Sequence, residues 1–200
     1  MKNIILQSAI FLFCSCTNTK AINNDQMNDT QWHQYGRTEQ VSDPFLHKLQ
    51  QNNELVLVYA FETYAWAKTV TYNAIALSNN QWTGYNWYVN KSAGAGVEPN
   101  VNPSEVSSDS CNALWNFFKE KEVWKIKGDN GENFCDSTDK IGCNINDGAQ
   151  WRLLIITKDK VIDPSYYEPE YFENCCPGKK DRALFVEAVH KIKSLMGPSR

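Results

Sequence analysis

The stretch "KTVTYNAIALSNNQWTGYNWYV", Lys68 to Val89, decides the fold. It reads as two β-branched and aromatic strands around Asn79-Asn80. Asparagine tolerates the positive φ that a tight hairpin requires. Val70, Tyr72, Ala74 and Ala76 fall on one face, and Trp87 and Val89 share a face of the return strand. Upstream, "ELVLVYAFE", Glu54 to Glu62, has the composition of another strand. Folding signals begin near Asp43-Pro44, where "FLHKLQQ", Phe45 to Gln51, predicts one or two helical turns.

Downstream, Asn90 to Glu105 is rich in Gly, Pro and Asn and reads as a loop. Its Gly94-x-Gly96 pair lacks the third glycine of a dinucleotide fingerprint and the Lys-Ser/Thr of a P-loop. Ser107 or Ser108 can cap a helix in which Cys111, Leu114, Trp115 and Phe118 line one face. "VWKIK", Val123 to Lys127, reads as the next strand, followed by a polar loop. "QWRLLIITKDKVID" then gives a strand, a turn and a second strand. A closing helix carries Leu184, Ala188, Ile192 and Leu195 as its apolar stripe, with Gly197-Pro198 as the stop. These elements predict one α+β domain over 44–200, mainly antiparallel sheet, with about two helices packed on one side.

Hydrophobic residues at 42% and aromatics at 12% suffice for a packed core. The formal net charge of -3 argues against nucleic-acid binding, which needs concentrated Lys and Arg to displace phosphate counterions. The longest basic cluster, Lys179, Lys180 and Arg182, is interrupted by Asp181.

The amino end carries an address. Lys2 supplies a positive charge, and Ile4 to Phe13 is apolar apart from Gln7 and Ser8. As a helix this run reaches roughly 15 Å, half a bilayer's hydrocarbon core. It fits the apolar region of a secretory signal and cannot span. The junction "FCSC" resembles the signal of bacterial exported lipoproteins, in which a small residue precedes an acylated cysteine. Ser15 is small, so Cys16 is the expected lipidation site; Phe13 before Cys14 is too bulky. Phe13 also stands where that pattern usually has leucine. The resemblance implies a signal peptide over 1–15, a polar tether over 16–43 and a membrane partner reached through the acyl anchor. In a Gram-negative cell the resemblance further implies, from Thr17 in place of Asp, sorting to the outer membrane, facing the periplasm. The alternatives are an ordinary secretory signal that leaves a soluble secreted protein, and a buried N-terminal strand in a cytosolic one. The polar, Asn-rich run from Thr17 to Thr30 favours export.

The last quarter of the chain, "DGAQWRLLI" with "YYEPEYF" and the closing helix, resembles small uncharacterised bacterial domains. That resemblance implies no particular activity.

In an exported compartment, Cys111, Cys135, Cys143, Cys175 and Cys176 read first as disulfide candidates. The favoured pair is Cys135 with Cys143, which bracket a short polar loop. Cys111 could reach Cys175 or Cys176, and those neighbours could bond each other. No metal is expected, because the spacings differ from the two to four residues usual between zinc ligands. No cofactor motif is present either. Lys179, Lys180 and Arg182 near "CCPG" give a faint signal for a reactive thiol.

Asp163 to Asn174 is the most unusual stretch. Tyr166, Tyr167, Glu168, Glu170, Tyr171 and Phe172 form a candidate binding surface, an aromatic patch rimmed by acid. The plainer reading puts the aromatics on the sheet and the glutamates in water. The sequence therefore suggests a lipid-anchored envelope module that binds a protein partner without catalysis. One alternative is a small extracytoplasmic hydrolase or thiol enzyme with a pocket gathering at least two of Glu168, Glu170, Cys175, Cys176 and His190. Another is a structural envelope lipoprotein.

Overall fold

A computed structural model of the chain describes residues 34–64, 69–91, 99, 101–129, 134–135, 143 and 145–196. The expected signal, Cys14, Cys16, the glycine pair of the long loop and the Gly197-Pro198 stop lie outside the described residues.

The chain is α+β. Helix α1 (Pro44–Asn52) leads into strands β1 (Leu55–Thr63), β2 (Thr69–Ser78), β3 (Gln81–Asn90) and β4 (Asn102–Glu105). Helix α2 (Ser108–Glu120) and a 3-10 turn (Val123–Lys125) follow. Strands β5 (Ala149–Ile156), β6 (Val161–Ile162) and β7 (Ser165–Tyr167), then α3 (Pro169–Cys175) and α4 (Lys180–Met196), complete the order. The sheet runs β4-β3-β2-β1-β5-β6, with β7 also on β5, and every pairing is antiparallel.

The hairpin forms as its sequence requires. Asn79 and Asn80 have φ of 50° and 60°, and Ser78 faces Gln81. Two positive φ values in a two-residue loop match the twist of the flanking strands. Val70, Tyr72, Ala74, Ala76 and Trp87 share one buried layer, with Val89 packed against it. Leu46 and Leu49 of α1 cover that face. Asp43 caps α1 by accepting hydrogen bonds from the Phe45 and Leu46 amides, and Pro44 occupies the first turn.

The opposite face carries Leu55, Leu57, Ile75, Leu77, Leu153 and Ile155 beneath α2 and α4. Ser107 caps α2, whose Cys111, Leu114, Trp115 and Phe118 are all buried as the spacing predicts. The two long helices thus share one side, while the short α1 lies on the other.

Four local expectations need correction. Val123–Lys125 is a 3-10 turn, because Glu122 takes a left-handed conformation (φ 50°) that reverses the chain and buries Val123 and Trp124. The presumed loop contains β4, held by register against Thr83 to Asn86. The stripe of α4 is rotated: Phe185, Ala188, Val189 and Ile192 are buried, and Leu184 and Leu195 only flank the core. Ordered contacts also begin before residue 44. Arg37 exchanges two backbone hydrogen bonds with Val161, each 3.0 Å. The buried Gln50 amide accepts from the Val41 amide and donates to the Glu39 and Thr157 carbonyls, fastening this leading strap to the sheet.

Candidate functional site

The Tyr166 to Phe172 stretch divides between core and surface. Within β7, Tyr166 turns inward against Phe185, with ring centroids 4.8 Å apart. Phe172 of α3 is equally buried and stacks on Phe134 at 4.6 Å. These two therefore leave the expected binding surface, because the sheet end and the α4 face need aromatic filling. Tyr171 is half-buried, its ring edge-on to Phe172.

Tyr167 and Glu168 act on the backbone. The Tyr167 hydroxyl accepts from the Gly148 amide at 2.9 Å, and the Tyr167 amide donates to Asp129 at 3.1 Å. Glu168 sits in the left-handed region (φ 41°); its amide donates to the Ala149 carbonyl, and its carboxylate accepts from the Ala149 amide. Both side chains thus fix where β5 begins. The bend before it is Asn146-Asp147-Gly148, with Asp147 at φ 56°. A Cβ on Gly148 would lie 2.5 Å from Glu168 Cγ and 2.6 Å from the Tyr167 hydroxyl oxygen. Neither neighbour can retreat without losing its hydrogen bond. Gly148→Ala is expected to cost about 1–3 kcal/mol, the range of forced overpacking. Urea denaturation checks this, and an unchanged midpoint would mean that the cradle yields freely.

Glu170 reaches toward α4. Its carboxylate meets His190 Nε2 of α4 within hydrogen-bond distance, with side chains 42% and 52% exposed. Nearby, Lys193 Nζ stands 5.2 Å from the Trp151 ring centroid and 5.7 Å from that of Tyr59. Burial drives the Tyr59 phenol's pKa well above its ordinary value, and Glu170 and Glu168 push it further up. Tyr59 is thus a protonated donor and not a base.

An acid–imidazole pair can orient a proton, but nucleophilic chemistry also needs a nucleophile within its reach. Cys175 and Cys176 cannot supply one, because both are bonded. The disulfides join Cys135 to Cys176 and Cys143 to Cys175, with Cα separations of 5.7 and 5.9 Å. This corrects the expected Cys135–Cys143 pairing and the proposed bond between neighbours. In this state neither cysteine of "CCPG" is a free thiol. Cys111 is a free, buried thiol and belongs to no disulfide; burial raises its pKa to about 11. The loop is therefore stapled to the end of α3 and not to itself. The sulfurs of Cys135, Cys143 and Cys176 lie within 4.8 Å of one another.

Sequence reasoning missed two charged features. Arg182, read as part of the longest basic cluster, is 2% exposed. It donates to Glu173 at 2.9 Å, to the Phe134 carbonyl at 2.6 Å and to the Cys176 carbonyl. Arg152 makes a two-pronged pair with Asp163. Only the Asp163-Pro164 corner, where the chain leaves β6, brings that partner near.

The sheet's helix-covered face opens at one end. Met196 of α4 packs over Gly84. Beyond that point, register aligns Leu153, Tyr59, Asn73 and Asn86 in one row, and Trp151, Phe61, Thr71 and Tyr88 in the next. Asn86 donates to Asn73 at 3.1 Å. On this face of β3, Trp82 and Gly84 are buried, Asn86 is partly exposed and Tyr88 is 61% exposed. Leu153, Tyr59, Asn73 and Trp151 of these rows are buried, so the accessible part is Phe61, Thr71, Asn86 and Tyr88, an edge that joins aromatic rings to an amide and a hydroxyl. The signal was present as alternation in the sequence, but the end of helical cover was not. No protein-family model matches the chain, and no curated protein sequence matches it.

Proposed function

We propose that the chain is a lipid-anchored cell-envelope protein that works by binding a protein partner, without catalysis of its own. The observation that carries this reading is the pair of disulfides between the loop cysteines and Cys175-Cys176. Such bonds persist in oxidising compartments and are rare in reducing ones. The Ser15-Cys16 junction, read as a lipoprotein signal, supplies a route out of the cytoplasm and an anchor on the outer membrane's periplasmic side. The open rows around Phe61, Thr71, Asn86 and Tyr88, with Glu170 and His190 on the exposed surface, offer the recognition face. An envelope accessory, or an immunity-type protein that neutralises an exported toxin, fits that description.

Cys16→Ala tests the anchor. The wild type is expected to partition into detergent and to carry an acyl mass on Cys16, whereas the variant should move to the aqueous phase. Unchanged partitioning would defeat the anchor and leave a secreted soluble protein as the reading. A photo-crosslinker at Tyr88, in the same envelope fractions, is expected to capture one partner. Capture of none, together with a measured turnover, would defeat the binding role.

A further inference from the structure

The four bonded cysteines form one sulfur cluster with an exposed and a buried half. Cys175 is exposed and Cys143 partly so, while Cys135 and Cys176 are both buried. Cys175 and Cys176 are consecutive, so the two bonds lie side by side. The Cys143 sulfur is within 4.8 Å of both sulfurs of the other bond. Arg182 binds the carbonyls of Cys176 and of Phe134, which precedes Cys135, so a buried cation flanks that inner bond.

We propose that the Cys143–Cys175 disulfide is a redox modification site for an external dithiol, and that the Cys143 thiolate released there opens the Cys135–Cys176 bond by intramolecular exchange. The chemistry balances in three steps. A dithiol thiolate attacks the accessible Cys175 sulfur; the Cys143–Cys175 bond breaks, and Cys143 leaves as thiolate. The second thiol of the dithiol, losing its proton to water, resolves the mixed disulfide. Cys175 leaves as thiolate, the dithiol is now a disulfide, and two electrons have entered the protein. Cys143 then attacks the Cys135 sulfur, the Cys135–Cys143 bond forms, and Cys176 leaves as thiolate. This last step is redox-neutral. The positive field of Arg182 favours a thiolate at Cys176, as cations do beside reactive cysteines. The product closes the loop on itself and frees a neighbouring dithiol, Cys175 and Cys176, at the end of α3. Nothing in this sequence requires an acyl anchor.

Limited reduction of the full chain tests the relay. Thiols free at the start are blocked with N-ethylmaleimide. Dithiothreitol is added below stoichiometry at a pH of about 8, near the ordinary cysteine pKa. Acid quench, labelling with heavy N-ethylmaleimide and peptic peptide mapping follow. The expected two-electron species carries heavy label on Cys175 and Cys176, with Cys135 linked to Cys143. Label confined to Cys143 and Cys175, with Cys135–Cys176 intact, would overturn the relay. Simultaneous labelling of all four cysteines, with no two-electron species, would overturn it too. Cys175→Ser provides an arm without reductant. There the free thiol is expected to shift from Cys143 to Cys176, and a thiol found only at Cys143 would count against the proposal.

Discussion

Replacing all four bonded cysteines by alanine is expected to cost about 6 kcal/mol at 25 °C, more than the sum of removing each pair alone. The reason is the nesting of the two loops. Cys135–Cys176 closes a separation of 41 residues, and Cys143–Cys175 one of 32. Either bond alone would restrict the unfolded chain by about 4 kcal/mol on the loop-entropy model. Once one is formed, the other closes only the short ring through Cys135–Cys143 and the Cys175-Cys176 peptide. That second closure contributes about 2.5 kcal/mol. Cys135→Ala with Cys176→Ala is therefore expected to cost about 2.5 kcal/mol, and so is the other pair. Losing both removes the long closure as well. Net stabilities of such domains lie near 5–15 kcal/mol, so the quadruple variant should be largely unfolded on modest heating. Urea denaturation of the three variants checks the pattern. Equal losses for one pair and for both would refute the nested account.

Arg182→Met is expected to cost about 3–5 kcal/mol, the range for breaking a buried, hydrogen-bonded ion pair from one side. Arg182 satisfies a carboxylate and two backbone carbonyls from a position that is almost wholly enclosed. Methionine fills the volume but leaves three acceptors without their donor. Lysine keeps the charge as a point and cannot span three directions, so Arg182→Lys should recover about half of the loss. Glu173→Gln should cost only about 1 kcal/mol, because that side chain is partly in water and keeps an oxygen acceptor. Adding an apolar Glu173 substitution to Arg182→Met should not restore stability, since the Phe134 and Cys176 carbonyls remain orphaned. Wild-type stability for Arg182→Met in urea would show that water replaces the guanidinium.

How much could be read beforehand follows from how local each signal is. Asn79-Asn80 and its alternating flanks specify a hairpin within some twenty residues, which is the scale on which turn chemistry and period-2 alternation act. The buried face of α2 was legible because its apolar positions have one phase only. α4 was ambiguous: Leu184 and Phe185 are neighbours of similar hydropathy, and the sheet chose Phe185. β4 has four residues, one of them Pro103, and exists only through its register with β3. The cysteine partners and the Arg182 acceptors are set by how α3 and α4 return to the loop. No sequence spacing encodes that return. Glutamates in water were the plainer reading of the Tyr166 to Phe172 stretch, and Glu170 is partly exposed, but its pairing with His190 depends on how α3 packs on α4. The open rows of the sheet face depend on where α4 ends across β3, which is a property of packing.

Cys111 gives the molecule a built-in clock. It is fully enclosed beneath α2, and it is the free thiol among the described residues. A small alkylating reagent can reach it only when the centre of the protein breathes. The pace of its labelling therefore times those excursions, and a slow or fast reading would say whether the outer staples quieten the interior they never touch.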